Sequence, residues 1–402
     1  MMKPLVLPRI FMIASLTALF VSYLGIWLRF ISDPVERTGS DFIGFYSVGR
    51  IAKQEGPAHV YDPLLQQSIQ EQVVGFPLAP GQVLLNQHLP FLIPILKAIS
   101  GPDYIASFYV WISIMILLYI LSILLLGRIL KQSHLDDLSI RLINAGGILF
   151  YPLFFSLLNG QDTALLVLGA VIWVFCLLSG KEWLAGLGLS LATVRPHIVL
   201  LLAIPLFFRY RKAFWGFALG SLVLALVSYF ILGLQGTVDF INILFISAEG
   251  TWYGLNENAM FNLTGLLLRL FPLLGIDVVH MIAWSVYGLT LIFLCFLWAR
   301  NPDLQDGRIG LTIVLALFVA QHLHFHDLTL LLIPIYELRW RHKENHKTAF
   351  VLATPVAISL LLLISNITPL LQYTVPYLIM LGLAFSLYFI GPSGLVTELH
   401  RS

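Results

Sequence analysis

A few polar side chains in an otherwise apolar sequence could do chemistry. Asp41 is a carboxylate, and a carboxylate beside a hydroxyl group can act as a general base. Arg195 carries a planar fork of N–H donors that fits the oxygens of a carboxylate or a phosphate. His322 and His326 stand four residues apart and would share one face of a helix. Together, these side chains could activate a hydroxyl and hold an anion.

The composition places these residues in a membrane protein. The chain has 402 residues, of which 58% are hydrophobic and 11% charged, whereas a soluble domain carries about 25% charged residues. Mean hydropathy is +0.88. The apolar runs are continuous rather than alternating, so they predict helices and not a barrel. We predict an all-α polytopic protein, one domain over residues 1–402, that crosses the bilayer roughly ten to twelve times. The net charge of +2 gives no reason to expect nucleic acid as a partner.

The predicted spans are the apolar runs that could cross the hydrocarbon layer as helices. One further stretch, Phe261–Ile276, is too interrupted to count as a span. The spans are Ile10–Leu28, Tyr104–Leu126, Leu142–Leu158, Thr163–Leu178, Trp183–Phe208, Phe214–Leu234, Val278–Trp298, Ile309–Ala320, Leu328–Leu338, Ala349–Ile364 and Tyr373–Ile390.

The basic residues predict the orientation of the chain. Most of the 23 lysines and arginines fall on one side of these spans, which predicts a cell (inner) membrane protein with both termini in the cytoplasm. Lys181 and the run Arg209–Lys212 both belong to that side, so Trp183–Phe208 must enter the membrane and return. Because Pro196 removes a helical N–H, we predict a hairpin of two half-length helices, broken at Arg195.

The opposite side receives the polar segments. The first outer loop, residues 29–103, contains an amphipathic stretch that follows Asp41 and predicts a helix along the membrane interface. A second outer loop covers residues 235–262, and the short segments 159–162 and 321–327 lie on the same side. The Arg195 tip approaches them from the membrane, so we predict a site at this boundary.

The residue types leave alternatives open. Asp41 stands where a carboxylate could cap a helix instead of acting as a base. Arg195 could bind an anion, since an arginine at membrane depth marks function, or form an ion pair with Asp162 or Glu257. The histidines of 321–327 could hold a metal, but no carboxylate-rich motif accompanies them, and we predict no metal site.

Four motifs of the chain resemble those of glycosyltransferase family 87, whose members have the GT-C fold. They cover roughly residues 41–334, in the order and on the side that the family has. The first motif resembles the family's opening outer loop. The second resembles an Asn-Gly-Gln turn followed by a span and a hairpin. The third resembles an Asn-Gln-Ser segment, and the fourth resembles a late outer histidine motif. They read SDFIGFYSVGRIAKQEGPAHVYDP, NGQDTALLVLGAVIWVFCLLSGKEWLAGLGLSLATVRP, NENAMFNLTGLLLRL and HFHDLTLLLIPI.

The resemblance implies a membrane enzyme that transfers a sugar, mannose or arabinose, from a polyprenyl-phosphate donor to a glycolipid or a cell-envelope glycan. The transfer, an inverting one, would take place on the periplasmic or extracellular face. Asp41 occupies the family's acidic position and would be the general base, while Arg195 and His326 would hold the donor phosphate. The remaining candidates for substrate binding are Gln161, Glu257, Asn258 and His322.

The implied partners are the lipid-linked sugar, its acceptor and the bilayer. A monoester phosphate donor lacks the pyrophosphate that often demands a metal ion, so we expect no cofactor. The alternative is a secondary transporter or a lipid-carrier flippase, because broken half-helices near the middle of the membrane are also typical of transporters.

Overall fold

The structure is a computed structural model that describes residues 6–38, 40–133, 135–248, 252, 257–300, 307–341 and 354–389. Over these residues the chain forms helices joined by short turns and contains no strand. The predicted all-α polytopic fold is therefore confirmed. Parts of the predicted second outer loop, residues 249–251 and 253–256, lie outside the described residues. So do residues 349–353 and 390 of the last two predicted spans.

Nineteen helices are numbered here in chain order over the described residues. They are α1 Val6–Ser32, α2 Pro34–Thr38, α3 Phe42–Gln54, α4 Pro63–Val74, α5 Ile93–Ile99, α6 Tyr104–Leu130, α7 Asp137–Ile148, α8 Tyr151–Asn159, α9 Thr163–Leu178, α10 Glu182–Ser190, α11 Pro196–Ala203, α12 Leu206–Arg209, α13 Arg211–Ala248, α14 Leu263–Leu270, α15 Ile276–Arg300, α16 Arg308–Val319, α17 Leu332–Arg341, α18 Thr354–Ser365 and α19 Pro369–Phe389. Short 3-10 turns lie between several of them, among them Leu191–Val194 and Phe325–Leu331.

Six helical stretches of the described chain are long and apolar enough to cross a membrane. They are Arg9–Ser32, Tyr104–Leu130, Asp137–Asn159, Arg211–Ser247, Ile276–Arg300 and Pro369–Tyr388. Shorter apolar helices, of 10–17 residues, lie at most of the other predicted spans, and these include Thr163–Leu178 and Arg308–Val319. The predicted span Leu328–Leu338 is not one of them, because the chain forms a 3-10 turn over Phe325–Leu331 there before α17 begins. The prediction of ten to twelve crossings thus depends in part on helices that are shorter than a full span.

The predicted hairpin is present between α9 and α13. Helix α10 ends in the 3-10 turn Leu191–Val194, Arg195 leaves helical geometry at φ −127° and ψ 76°, and Pro196 begins α11. Proline suits this first helical position because its missing N–H would have no intrahelical partner there. The chain thus turns at Arg195, as its Arg-Pro pair predicts.

Glycines show that the chain returns after this turn. Gly216 of α13 lies against the backbone of Trp183, near the start of α10, and Gly220 lies against Ser190, at its end. Helices α10 and α13 therefore run in the same direction, which requires the intervening α11 and α12 to run back. Gly186 contacts the backbone of Ala213 directly, the close approach that small residues permit between membrane helices.

The first outer loop folds into a small helical unit around α3. Asp62 caps α4 by accepting hydrogen bonds from Leu64 N and Leu65 N. Ten residues of α3 are buried, so protein covers the helix on nearly every side. The predicted amphipathic helix is present, but it is enclosed by neighbouring elements, including α4 and α5, rather than lying open on the membrane.

The contact at Gly186 generates a first prediction. Gly186→Leu places a branched side chain against the Ala213 backbone, so we expect a loss of roughly 1–3 kcal/mol of stability and a displaced hairpin. Thermal unfolding of the purified protein measures the effect. Gly288→Leu is the matched control, because a side chain at Gly288 meets no neighbouring atom within 4 Å. Equal unfolding temperatures of the two variants would contradict the close helix contact.

Candidate active site

Asp41 precedes α3, yet its side chain does not cap that helix. The residue is itself in helical conformation, with φ −59° and ψ −18°, and its carboxylate makes no hydrogen bond to the helix backbone. Instead, Gln161 Nε2 donates to Asp41 Oδ2 over 2.6 Å. The capping alternative is therefore not the role that this carboxylate has, and its half-buried position leaves it accessible.

Gln161 and Asp162 reach the site from the turn between α8 and α9. Gly160 makes this turn possible, because it adopts the left-handed conformation at φ 68° that glycine tolerates best. The Gly160 carbonyl accepts a hydrogen bond of 2.8 Å from Trp111 Nε1 of α6. A side chain at Gly160 would collide with Phe42, so the turn is fitted closely against α3.

Arg195 is buried at the centre of the site and contacts two carboxylates. Its Nη2 lies 3.0 Å from Asp162 Oδ1, and its Nε donates to Asp327 Oδ1 over 3.1 Å. Nη2 also donates to Gln161 Oε1 over 3.3 Å, which links the guanidinium to Asp41 through one amide. The predicted ion pair with Asp162 is present, and Asp327 is a second partner that the sequence did not single out.

His88 completes the contacts around Asp162. Its Nδ1 lies 2.9 Å from Asp162 Oδ2, and its ring is 4.4 Å from that of Phe45. Arg195 Nη1 lies 3.5 Å from the same ring nitrogen, so His88 adjoins both the guanidinium and the carboxylate. Arg195 Nη1 also donates to the Val194 carbonyl over 3.1 Å.

The histidine segment forms the opposite wall of the site. Asp327 is fully buried and accepts from the backbone N of His324 over 3.2 Å, which anchors the turn that follows α16. The rings of His322 and His324 are 4.4 Å apart, and those of His324 and His326 are 5.8 Å apart. The three imidazoles are therefore neighbours, and buried His326 lies 3.6 Å from Asp327.

The carboxylates at the centre remain ionised despite their burial. Burial alone would raise the pKa of Asp162, but the Arg195 guanidinium and His88 outweigh it and hold that pKa below its ordinary value. Burial likewise opposes ionisation of Asp327, whereas the Arg195 guanidinium, with Nε 3.1 Å from Oδ1, helps to hold its pKa below the ordinary value. These charges are paired, as buried charges must be to be tolerated.

The histidines are held in their neutral form. Burial lowers the pKa of His322 well below its usual value, and it lowers the pKa of His324 to about 4. Burial also lowers the pKa of His326, against the opposing charges of Asp327 and Asp41. Asp41 is therefore within electrostatic range of His324 and His326, which brings the first outer loop and the histidine segment to one place.

Two predicted substrate-binding residues lie beside this cluster rather than in it. Glu257 pairs with His280 of α15, with 2.9 Å between Oε1 and Nε2, and Asn258 is exposed. Among the described residues neither contacts Asp41 or Arg195 by a hydrogen bond or an ion pair. Their segment is tied to the histidine wall through the bond of 3.0 Å from Phe261 N to Leu323 O.

Sequence reasoning missed the part that His88 plays. It is one histidine in a long outer loop, and only its place before Leu89-Pro90, at the entry to α5, hinted at a fixed position. Over the described residues, no group of three or more His, Cys, Asp or Glu side chains is arranged to hold a metal ion.

The cluster combines a general-base candidate, Asp41, with a buried guanidinium, Arg195, at the end of apolar helices. Such an arrangement suits a reaction on a lipid-linked substrate, and comparison with known families bears on it directly. The family model described as Glycosyltransferase family 87 matches residues 89–323, more than half of the chain. The chain belongs to glycosyltransferase family 87. No curated protein matches the sequence.

Membership in glycosyltransferase family 87 makes the protein a membrane glycosyltransferase, as the resemblance of its motifs predicted. The matched stretch contains Gln161, Asp162 and Arg195 of the central cluster. Asp41 precedes that stretch and His326 follows it. The structure therefore brings residues from outside the matched stretch into contact with the family region.

The neutral histidines generate a prediction about pH. In the unfolded chain they take up protons below about pH 6.5, whereas folded His324 does so only near pH 4. The unfolded state then binds more protons, so stability falls as pH falls from 6.5 towards 4, by about 1.4 kcal/mol per pH unit for each such histidine. Below the ordinary pKa of aspartate, Asp162 and Asp327 add to this loss.

Thermal unfolding of the detergent-solubilised protein between pH 7.5 and pH 5 measures this loss. We expect the unfolding temperature to fall with pH and the fall to be smaller in His324→Gln, which removes one of the titrating groups. His59→Gln is the control, since that exposed histidine lies away from the cluster. An unfolding temperature that stays constant over this range would contradict the burial of neutral imidazoles.

Proposed function

We propose that this glycosyltransferase moves a sugar from a polyprenyl-phosphate donor to a hydroxyl group of a glycolipid or cell-envelope glycan, with Asp41 as the general base. The observation that carries the proposal is the Asp41 carboxylate, which is half-buried, free of any capping bond and held by Gln161 at 2.6 Å. A base must be oriented and yet reachable by the hydroxyl whose proton it takes. Asp41 meets both conditions.

Gln161 and Arg195 orient this base. The amide nitrogen of Gln161 holds Asp41 Oδ2, while its oxygen accepts from Arg195 Nη2 over 3.3 Å. These two hydrogen bonds fix the orientation of the Gln161 side-chain amide, because its nitrogen must face Asp41 and its oxygen must face Arg195. Over the described residues, Asp41 Oδ1 has no such hydrogen-bond partner, so it is the oxygen that we assign to the acceptor hydroxyl.

The donor phosphate is assigned to Arg195 and His326. The guanidinium of Arg195 can offer a charged hydrogen bond, which is stronger than a neutral one. Asp162 and Asp327 offset the positive charge of Arg195, so the phosphate needs a further donor. His326 is neutral, keeps one ring N–H, and adjoins the same carboxylates.

The remaining details of the proposal follow from the family resemblance and the charge distribution. The sugar is mannose or arabinose, the transfer inverts the anomeric centre, and neither a metal nor a cofactor takes part. Glu257 and Asn258 contact the sugar or the acceptor from the segment beside the cluster, and His322 does so from the histidine wall. The distribution of basic loops supports an orientation with both termini in the cytoplasm of a cell (inner) membrane protein and the reaction on the periplasmic or extracellular face.

A transporter or flippase is the competing function, and the α10–α11 hairpin is the feature that favours it. Half-helices that meet inside a membrane also form the binding sites of transporters. In a transporter, however, the charge of a carboxylate at the start of α3 has no chemical step to perform. Removing that charge therefore separates the two functions.

Asp41→Asn is the test of the general base. We expect it to lower the turnover of polyprenyl-phosphate sugar roughly 100-fold or more, because an amide cannot accept the proton. The measurement is release of polyprenyl phosphate from a panel of radiolabelled polyprenyl-phosphate sugars. Asp277→Asn makes the same chemical change at an exposed site and should keep wild-type activity. Full activity in folded Asp41→Asn would remove Asp41 from the mechanism.

Arg195→Lys tests the phosphate assignment without removing the charge. Lysine lacks the fork that contacts Asp162 and Asp327 together, so we expect the KM for the donor to rise roughly 10-fold or more. The neutral Arg195→Gln should instead destabilise the fold by about 3–5 kcal/mol, because it leaves two buried carboxylates unpaired. Arg209→Lys, at an exposed position, is the control. An unchanged donor KM in Arg195→Lys would show that the guanidinium is structural only.

A further inference from the structure

Arg269, in α14, is bound in a different way from the guanidinium of the active site. Whereas Arg195 contacts two carboxylates, Arg269 forms no ion pair over the described residues. Its Nη1 donates to the backbone carbonyl of Asn258, and its Nη2 donates to that of Met260 over 2.9 Å. The fork of this guanidinium therefore holds the backbone before α14 at two points, which the compact ammonium of a lysine would not do.

Two tyrosines of α19 hold the same guanidinium from the other side. The central carbon of the Arg269 guanidinium lies 4.1 Å from the centre of the Tyr373 ring, in a cation–π contact. The Tyr377 hydroxyl accepts from Arg269 Nη2 and donates to the Asn262 carbonyl over 3.0 Å. Both tyrosines come after the residues that the family model matches, 89–323. Helix α19 thus helps to fix a segment that lies inside the matched stretch.

Gly265 leaves the space that the Arg269 side chain needs. A Cβ at Gly265 would collide with the Met260 carbonyl and would lie 3.1 Å from Arg269 Nη1. The arginine side chain therefore folds back over this position, one turn before its own, to reach the two carbonyls. The absence of a side chain at Gly265 is part of the same arrangement.

The segment that this arginine fixes, residues 257–262, is attached to the histidine wall, residues 321–327. Phe261 N donates to the Leu323 carbonyl over 3.0 Å. Asn262 contacts the residue before the wall, since its Nδ2 donates to the carbonyl of residue 320 over 2.6 Å. Among the described residues, no hydrogen bond or ion pair joins the segment to the proposed general base. The segment therefore belongs to the side of the site that we assign to the donor.

The contacts of Arg269 leave the side chains of the segment available to a ligand. The guanidinium binds backbone carbonyls, and the Asn258 side chain is exposed. Glu257 is half-buried and pairs with His280 through one carboxylate oxygen, Oε1, over 2.9 Å. A carboxylate and an amide can both accept hydrogen bonds from hydroxyl groups, and the amide can also donate. In the proposed donor, the group bonded directly to the phosphate is a sugar, which is rich in hydroxyl groups.

We propose that Arg269 is a positioning residue, which fixes residues 257–262 so that Glu257 and Asn258 bind hydroxyl groups of the donor sugar. The inference rests on the proposed function, since it takes a polyprenyl-phosphate sugar as the ligand. Arg269 does not itself contact the sugar but acts through the backbone carbonyls that it holds. Loss of this support lowers the affinity for the sugar and leaves the binding of the carrier phosphate, which other residues provide, unchanged.

Binding of carrier lipids with and without a sugar tests this assignment. The probes are undecaprenyl phosphate, undecaprenyl phosphate mannose and undecaprenyl phosphate arabinose, added to the full-length protein in detergent. We expect wild-type protein to bind one of the sugar lipids roughly 10-fold more tightly than undecaprenyl phosphate. Arg269→Gln should lose most of this preference and keep its Kd for undecaprenyl phosphate. Arg300→Gln makes the same change at an exposed position of α15 and should bind as wild type does.

The comparison of the three lipids separates positioning from a general loss of structure. In folded Arg269→Gln, an unchanged preference for the sugar lipid overturns the proposal, and so does an equal loss of affinity for all three lipids. Where the sugar lipid is turned over, its KM should rise and kcat should change much less, because neither Asp41 nor Arg195 loses a contact. An unchanged KM would contradict the positioning role.

Turnover by wild-type protein shows which of the two proposals fails. If it turns over none of the lipids, but its preference for a sugar lipid is lost in Arg269→Gln, the proposed function is wrong and the positioning role is supported. If it transfers the sugar but binds no sugar lipid more tightly than undecaprenyl phosphate, the positioning role is wrong and the proposed function is supported.

Thermal unfolding and gel filtration establish that each variant is folded. If Arg269→Gln does not fold, Tyr377→Phe replaces it, since this change removes only the hydroxyl to which the guanidinium donates. A smaller preference of Tyr377→Phe for the sugar lipid, with unchanged binding of undecaprenyl phosphate, supports the proposal. Retention of the full wild-type preference overturns it.

Discussion

The buried guanidinium of Arg195 is the constraint around which the site is organised. A charge at this depth is tolerated only with partners, and Asp162 and Asp327 supply them from two different parts of the chain. Because Asp162 also contacts His88, and Gln161 reaches Asp41, the same set of contacts fixes the base and both walls of the site. Stability and chemistry therefore depend on one network.

The surrounding fold serves to bring this network together. Close contact between α10 and α13 at Gly186 holds the hairpin that presents Arg195. The glycine turn at Gly160 presses Gln161 against the start of α3. A side chain at Gly186 would collide with the backbone of α13, and one at Gly160 would collide with the Phe42 side chain. The polar cluster is small, and the closely fitted apolar scaffold around it sets its geometry.

The sequence predicted the helices and turns of the fold better than it predicted which side chains contact each other. The helices, the break at Arg195 and the convergence of the polar segments follow from apolar run length, proline chemistry and charge asymmetry, which are local properties. Which carboxylates pair with Arg195 is a matter of tertiary contact, so Asp162 was foreseen as one option among two and Asp327 was not. Burial of α3 was missed for the same reason, because an amphipathic pattern cannot tell a protein neighbour from a lipid one.

The order of synthesis gives the pair of Arg195 and Asp327 a further consequence. The two residues are 132 positions apart, so the arginine leaves the ribosome long before its second carboxylate exists. Asp162 precedes Arg195 in the chain, so it is the partner that is already made when the hairpin is synthesised. A chain that ends before Asp327 would thus carry this guanidinium with only one of its two carboxylate partners.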